Sequence, residues 1–407
     1  MRIGFLSQAL PYLPSRGGFR LYGANLIRHL ARRHEVDLVS LLVDDDAAHL
    51  DWARRHCASV RAIPVRPRQR WLAPVSAASA YIWGRPLQQR ATVGRLLRSG
   101  EARWDVLHVE GPYVGGLVPE TLRTPRILSV HDSWTLRCDE MLKCSQSLLQ
   151  WLYYRVLRYQ EPRFERLVYP RFGRCVFVTA RDAAAVHEIV PRANCVVVPN
   201  GVDTEYFQPQ GEPKNAMTVA FHGHLGYAPN VDAAVVFAEQ ILPTICRHCP
   251  DVVFQLVGAD PSPKIRELAK RPNIRLSANL PDLRSVLASS RVYACPVQLG
   301  SGIKNKILEA MALELPVVSF QAALEGIGCT PGCHVLVARD ADEFAALVIE
   351  LLKDPVRAER MGQAGRTFVQ EAFSWESRAV AFEGLYHAVL DEYARTPLSG
   401  RGTETKS

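Results

Sequence analysis

No apolar run in this chain approaches the roughly 20 residues that a membrane-spanning helix needs, and there are no low-complexity tracts or short-period repeats. The start, Met1-Arg2-Ile3-Gly4-Phe5-Leu6, is too short for the apolar core of a secretion signal and reads as a first strand. A cytoplasmic protein is expected. Ten cysteines in 407 residues do not make a disulfide scaffold. Cys175, Cys195 and Cys295 lie inside apolar runs and read as small core residues. Cys246-Arg247-His248-Cys249 has no partner pair at finger-like spacing, so no metal site is expected. A complete dinucleotide fingerprint is missing, and so is a pair of carboxylates suited to double displacement.

What is present is a globular composition, 48% hydrophobic and 22% charged, in a chain long enough for two domains. Short apolar runs alternate with longer amphipathic ones, the βα signature of an α/β protein. In the first half strands are expected at Arg2–Ser7, Val36–Val43, Val60–Pro64, Val106–Glu110, Arg126–Val130, Cys175–Thr179 and Cys195–Pro199, with a helix across Ser145–Leu167. The Pro- and Gly-containing stretch from Gln208 to Asn215 reads as a linker. A second series begins at Met217–His222, and three helices close the chain before a polar tail. The divisions expected are 1–207, a linker 208–216, 217–375, a last helix 376–394 and a tail 395–407.

The formal net charge is +8, placed unevenly. Between Asp51 and Arg103 eleven arginines face only Asp51 and Glu101, and Trp52, Trp71, Tyr81 and Trp83 are interleaved. Basic residues mixed with aromatics suit nucleic acid or an anionic membrane face. No nucleic-acid motif accompanies them, so a peripheral membrane contact is preferred, beside a merely solvated basic face.

The most informative stretch follows the apolar run Val292–Val297: Gly300-Ser301-Gly302-Ile303-Lys304-Asn305-Lys306-Ile307-Leu308-Glu309, then a helix and the run Leu315–Phe320. Strand, glycine loop, helix and strand place this loop at the carboxyl end of a parallel sheet, where such sheets bind ligands. Backbone amides of Ser301, Gly302 and Ile303 can approach an anion, and the helix N-terminus favours one. Lys304 and Lys306 put full positive charges in the first turn, unfavourable for the helix and favourable for an anion. Glu309, further in beside Leu308, is placed to accept hydrogen bonds from vicinal hydroxyls. Anion plus hydroxyls describes a nucleotide diphosphate; the bland reading is a solvated helix start. Other loops at strand ends could join it. Gly17-Gly18 allows phosphate approach, and Gly223 with His224 should lie over the diphosphate. Asn230 is a plausible helix N-cap, and Asp260 reads as a cap. His131 could hydrogen-bond a sugar hydroxyl or phosphate, and Asp132 could take a proton; the alternatives are a satisfied core histidine and a cap.

With these residues in view, the chain resembles glycosyltransferase family 4, retaining nucleotide-sugar transferases of GT-B fold. The likeness rests on Pro199-Asn200-Gly201-Val202-Asp203, the Phe221-His222-Gly223-His224 strand end and the Lys306-Ile307-Leu308-Glu309-Ala310-Met311-Ala312 helix. Tyr227-Ala228-Pro229-Asn230-Val231-Asp232 and Gly302–Lys306 are similar to transferases of exopolysaccharide clusters. The resemblance implies two Rossmann-like domains facing a cleft, no bound metal or cofactor, and a donor held mainly by the C-terminal domain. It implies a last helix that packs back on the N-terminal domain, and Glu309 as the residue on the ribose. Ser301 stands where the family has its first Glu, and the usual Arg and Lys on the diphosphate are replaced by His224 and Tyr227–Asn230. The function expected is transfer of a sugar from a UDP- or GDP-type donor to a glycan or lipid-linked saccharide. A nucleotide-sugar 2-epimerase of the same fold and a non-catalytic partner subunit are the alternatives.

Overall fold

The computed structural model describes the chain except for residues 16, 17, 44, 45, 66–85, 102, 144, 146, 210, 212, 299–302 and 396–407. Residues 66–85 of the arginine- and tryptophan-rich segment, with Trp71, Tyr81 and Trp83, and the loop glycines at 300 and 302 therefore lie outside the described residues. The chain divides into two compact units, one made of Met1–Pro199 with Arg378 onward, the other of Asn200–Ser377.

In the first unit seven strands are hydrogen-bonded in parallel. They are β1 (Arg2–Ser7), β2 (Glu35–Leu42), β3 (Ser59–Pro64), β4 (Val106–Glu110), β5 (Arg126–His131), β6 (Arg174–Phe177) and β7 (Cys195–Val197), in the order β3-β2-β1-β4-β5-β6-β7. Strands buried on both faces should read as continuous apolar runs, and Ile3, Phe5 and Leu6 of β1 are fully buried. From Arg378 on, the last helix (Trp375–Arg395) is part of this unit. It buries Phe382, Tyr386 and Val389, and Glu383 accepts from Arg33 at 2.8 Å.

The second unit repeats the plan with β8 (Asn215–His222), β9 (Val253–Gly258), β10 (Ile274–Ala278), β11 (Ser290–Cys295), β12 (Val317–Phe320) and β13 (Val335–Ala338), in the order β10-β9-β8-β11-β12-β13. In both sheets the first strand in sequence lies centrally and the order reverses beside it. Each sheet thus has a switch point, between β1 and β4 and between β8 and β11, where neighbouring loops part and a ligand can enter.

Two local expectations change. The helix from residue 145 begins at Leu148, because the Ser147 hydroxyl caps it by accepting from the Gln150 N–H at 3.2 Å. A helix at Trp134–Lys143, absent from the sequence reading, precedes it. The Asn200-Gly201-Val202-Asp203 segment is shaped by packing. A Cβ on Gly201 would stand 2.6 Å from the Trp375 ring, and the Asp203 carboxylate accepts from the Glu205 and Tyr206 N–H groups.

Candidate functional site

At the switch point of the second unit, the ends of β8 and β11 bring together residues far apart in sequence. The helix after β11 begins at Asn305, not Lys304 (Asn305–Ala312). Lys304 is therefore its N-cap residue, and Lys306 alone of the two lies in the first turn. The Lys306 ammonium donates to Asn230 Oδ1 and sits 4.8 Å above the centre of the Phe221 ring. No carboxylate of the described residues lies within ion-pair distance of it. Burial pushes the Lys306 amine below the usual lysine range, partly opposed by Cys295 and Glu309. The site therefore holds a desolvated cation whose partners are an amide oxygen and a ring face.

Asn230 is not a helix cap; Tyr227 occupies that position. It lies within the helix Ala228–Val236 and bridges instead, its Nδ2 donating to the His224 carbonyl at 2.9 Å. Gly223 makes this approach possible. Its φ of 150° is poorly accessible to other residues, and a Cβ there would lie 2.9 Å from Asn230 Nδ2 and 3.0 Å from Lys306 Nζ. His224 is mostly exposed and reaches Asp260 Oδ2 at 3.3 Å, so this surface pair contributes little to stability. Asp260, with φ of 50°, caps no helix.

Glu309 is held from beneath. The His222 Nε2 lies 2.7 Å from Glu309 Oε2, and the imidazole itself is almost fully buried. With Nε2 donating, His222 Nδ1 is left buried with no protein partner. The Tyr293 ring meets the imidazole edge-on at 5.4 Å. Glu309 retains 27% side-chain exposure, enough to offer its second oxygen to hydroxyl donors. Asn305, the first residue of the same helix, accepts from Asn200 at 3.3 Å. Leu308 is fully buried in the core and Ile303 nearly so, so neither side chain lines the site. Gly17, Ser301 and Gly302 lie outside the described residues; Gly18 opens the helix Gly18–Leu30.

The first unit has its own buried polar cluster where β4 and β5 end. His131 Nε2 lies 2.6 Å from Glu110 Oε1, and His108 Nε2 lies 3.2 Å from Oε2. Tyr386 and Ser129 complete the ring around His108 at 2.7 and 3.0 Å. Burial pushes Glu110 up, but His131 and bonds from both imidazoles outweigh it and hold the carboxyl below its usual range. Burial likewise pushes His131 down, and Glu110 more than reverses it. Burial wins at His108, whose pKa is lowered. The cluster therefore favours a charged Glu110–His131 pair beside a neutral His108.

His131 has a left-handed φ of 72°, and the Asp132 N–H donates back to the Val130 carbonyl at 3.2 Å. A non-glycine residue held so is strained, and such strain concentrates at functional sites. The turn leaves His131 Nδ1 as the ring nitrogen not taken by Glu110. Asp132 is one-third exposed and 3.8 Å from Arg137; Ser133, whose hydroxyl accepts from the Leu136 N–H, caps the next helix. Sequence reasoning missed Glu110, His108 and the supporting role of His222. Two polar residues, His108 and Glu110, set in the short strand run Val106–Glu110 were the available signal.

Comparison with known proteins agrees with this layout. Residues 16–206 match the model of the family described as Glycosyltransferase Family 4, and residues 216–354 match that of Glycosyl transferases group 1. Among curated proteins, the chain is 32% identical over 211 residues to an MMP alpha-(1->4)-mannosyltransferase of Mycolicibacterium hassiacum, covering 49% of each chain. It is 20% identical over 383 residues to an uncharacterized 44.6 kDa protein in the cps region of Klebsiella pneumoniae, covering 91% of this chain and 96% of that one. The chain spans about half the length of most of the curated relatives it matches. Among solved structures, Anabaena HepE in complex with UDP superposes with a TM-score of 0.64 at 16% identity, covering 95% of this chain and 100% of that one. Likeness at that identity shows the fold, which is GT-B.

Proposed function

We propose that this chain, which belongs to glycosyltransferase family 4 and has the GT-B fold, transfers a sugar from a nucleotide-diphosphate donor to a glycan or lipid-linked saccharide. The observation that carries the reading is Lys306. A desolvated ammonium without a carboxylate partner, at a sheet switch point and in the first turn of a helix, is electrostatically incomplete until an anion arrives. A diphosphate supplies that charge. Glu309, oriented by His222, then accepts from the ribose hydroxyls, and Gly223 and His224 line the approach.

The chemical barrier lies in parting a glycosyl cation from the diphosphate. Lys306 is preorganised to stabilise the charge that develops on the leaving oxygen. The His131 imidazolium can donate from Nδ1 to a hydroxyl or phosphate oxygen and is not suited to act as a base while Glu110 keeps it protonated. Proton removal from the acceptor is therefore assigned to the departing phosphate, with attack from the same face and retention of configuration. No metal ion is required, because the side chains named supply the positive charge.

Support for the donor class comes from relatives. One is named a mannosyltransferase, another is named as GDP-mannose-dependent, and a structural neighbour was solved with UDP. The likeness to a protein of a cps region favours a polysaccharide acceptor. We place the reaction in the cytoplasm, at the inner membrane face where lipid-linked acceptors are presented. The free thiols of the described cysteines suit a reducing compartment.

The test is product formation from a panel of labelled UDP- and GDP-sugars, with and without EDTA, and the product's anomeric configuration read by NMR. Transfer from one donor, insensitive to EDTA and with retained configuration, is expected. If no donor is turned over and neither UDP nor GDP raises the melting temperature, the reading fails.

A further inference from the structure

The long helix Leu148–Val168 of the first unit is turned the wrong way round for a helix in water. Its inner face buries Leu157, Glu161, Glu165 and Val168. That face is tied to the preceding helix, with Cys138 packed on Leu157, Arg158 on Asp139 at 2.7 Å, and Thr135 on Glu165 at 3.3 Å. The outer face is apolar. Leu148 is 78% exposed, Leu149 81%, Leu152 53% and Tyr159 66%, and Val156 is exposed beside them. At about 100° per residue these five fall on one side of the helix. A solvated helix would place polar residues there.

The charges on this face are of one sign. Arg155 packs on the Trp151 ring at 5.2 Å and Arg163 on the Tyr159 ring at 3.8 Å, so each cation is paired with an aromatic surface. The helix contains two acids, Glu161 and Glu165, and both are buried. Burial raises them to about 7 and about 8, so their negative charge near neutral pH is reduced even inside. Leucines flanked by aromatics and arginines, with no exposed carboxylate on the same helix, fit the boundary between acyl chains and acidic headgroups.

We propose that the outer face of the helix Leu148–Val168 docks on an anionic phospholipid bilayer. A second copy of the chain answers the same face less well. A two-fold contact would set arginines of one helix against arginines of the other, with no exposed carboxylate on either helix to meet them. The inference rests on the reading above only for placing the acceptor at a membrane; the face itself is read from exposure and charge. It differs from the arginine-rich segment 51–103 singled out in the sequence, which is a separate element.

The experiment is sedimentation of the full chain with vesicles of phosphatidylcholine alone or mixed equally with phosphatidylglycerol, at low and raised salt. The wild type should bind the anionic vesicles at least tenfold more tightly than the neutral ones. L149E/L152E, at exposed positions, should keep its melting temperature and lose at least a hundredfold in partitioning. R155A/R163A should lose most of the preference for anionic lipid, and serves as the second variant should the first fail to fold. Absence of wild-type binding to either vesicle at low salt overturns the proposal. Unchanged binding in both variants overturns this face; if R54E/R55E then abolishes binding, the membrane reading survives on the other element. A wild-type dimer that L149E/L152E converts to monomer, without vesicle binding, gives the face to a second copy. Vesicle binding needs no turnover, so failure of the transferase reading is read separately by the donor panel.

Discussion

Lys306→Met should leave the nucleotide-free protein about as stable as the wild type, or more so, and make the enzyme far worse. Methionine matches the lysine stem in length, fills the space above Phe221 and removes the desolvated charge. Replacing a buried ion by an apolar group of similar volume is often neutral or stabilising by about 1–4 kcal/mol. Here the gain is reduced by the loss of the bond to Asn230 and of the ring contact, each about 1 kcal/mol. A net change between a loss of about 1 and a gain of about 2 kcal/mol remains, and a domain of this size shifts by about 2–4 °C per kcal/mol. The melting temperature without nucleotide should therefore fall by no more than about 4 °C and rise by up to about 8 °C. Turnover should fall by about 10²–10³ in kcat/KM, the usual consequence of losing one preorganised group at a developing charge. The melting shift produced by UDP or GDP should shrink with it. Lys304→Ala, at the N-cap, should cost much less than Lys306→Met. Differential scanning fluorimetry with and without nucleotide, alongside donor turnover, checks each part. A Lys306→Met protein destabilised by more than about 2 kcal/mol, with its nucleotide shift intact, would refute the reasoning, because Lys306 would then be a structural lysine.

Glu309→Ala should weaken transition-state binding by about 2–4 kcal/mol, read as kcat/KM, while the fold survives; wild-type turnover in a folded variant would remove the ribose assignment. Glu110→Gln should flatten the pH dependence of unfolding measured in denaturant. Glu110 is lowered from 4.5, so its share of the pair's stability is lost as pH falls through its depressed value; His131 is raised from 6.5, so its share is lost as pH rises through its elevated value. The wild type should be most stable between those limits, and a variant with the same profile would deny the ion pair. Glu161 and Glu165 are raised, chiefly by burial, from 4.5 to about 7 and about 8. Their stabilising share is present below pH 4.5 and fades as pH rises through 7 and 8, so Glu161→Gln/Glu165→Gln should remove a loss of stability that the wild type shows on the alkaline side. Tyr113 and Thr135, which bond to them, and Arg158 and Arg166, which favour the charged form of Glu165, oppose the shift only in part.

The sheets were largely legible because parallel strands covered on both faces are uninterrupted apolar runs; β1 and β4 have the boundaries the sequence suggests. β13 was not anticipated, although Val335–Ala338 is itself a four-residue apolar run. The helix Trp134–Lys143 escaped because it buries only Thr135 and Cys138 and so writes no apolar stripe. Pro162 lies inside the helix Leu148–Val168, as the expected helix Ser145–Leu167 allowed, although a local rule would end it there. At the site, the positions of Lys306 and Glu309 followed from the strand-loop-helix pattern. Their partners did not. Asn230 is 76 residues from Lys306 and His222 is 87 from Glu309, and only the adjacency of β8 and β11 brings them together. Local rules gave Asn230 to a cap because Asn before a helix usually is one.

The two units use the same pair of side chains with the roles exchanged. In each, a histidine at the end of a strand meets a carboxylate at 2.6 to 2.7 Å. In the first unit the carboxylate is inside, Glu110 at 1%, and the imidazole keeps what exposure there is, His131 at 11%. In the second the imidazole is inside, His222 at 4%, and Glu309 keeps 27%. A buried acid charges the imidazole and leaves it a hydrogen-bond donor, whereas a buried imidazole fixes the acid and leaves it an acceptor. The first unit thus presents a donor to oxygen atoms, and the second an acceptor to hydroxyls beside the Lys306 cation.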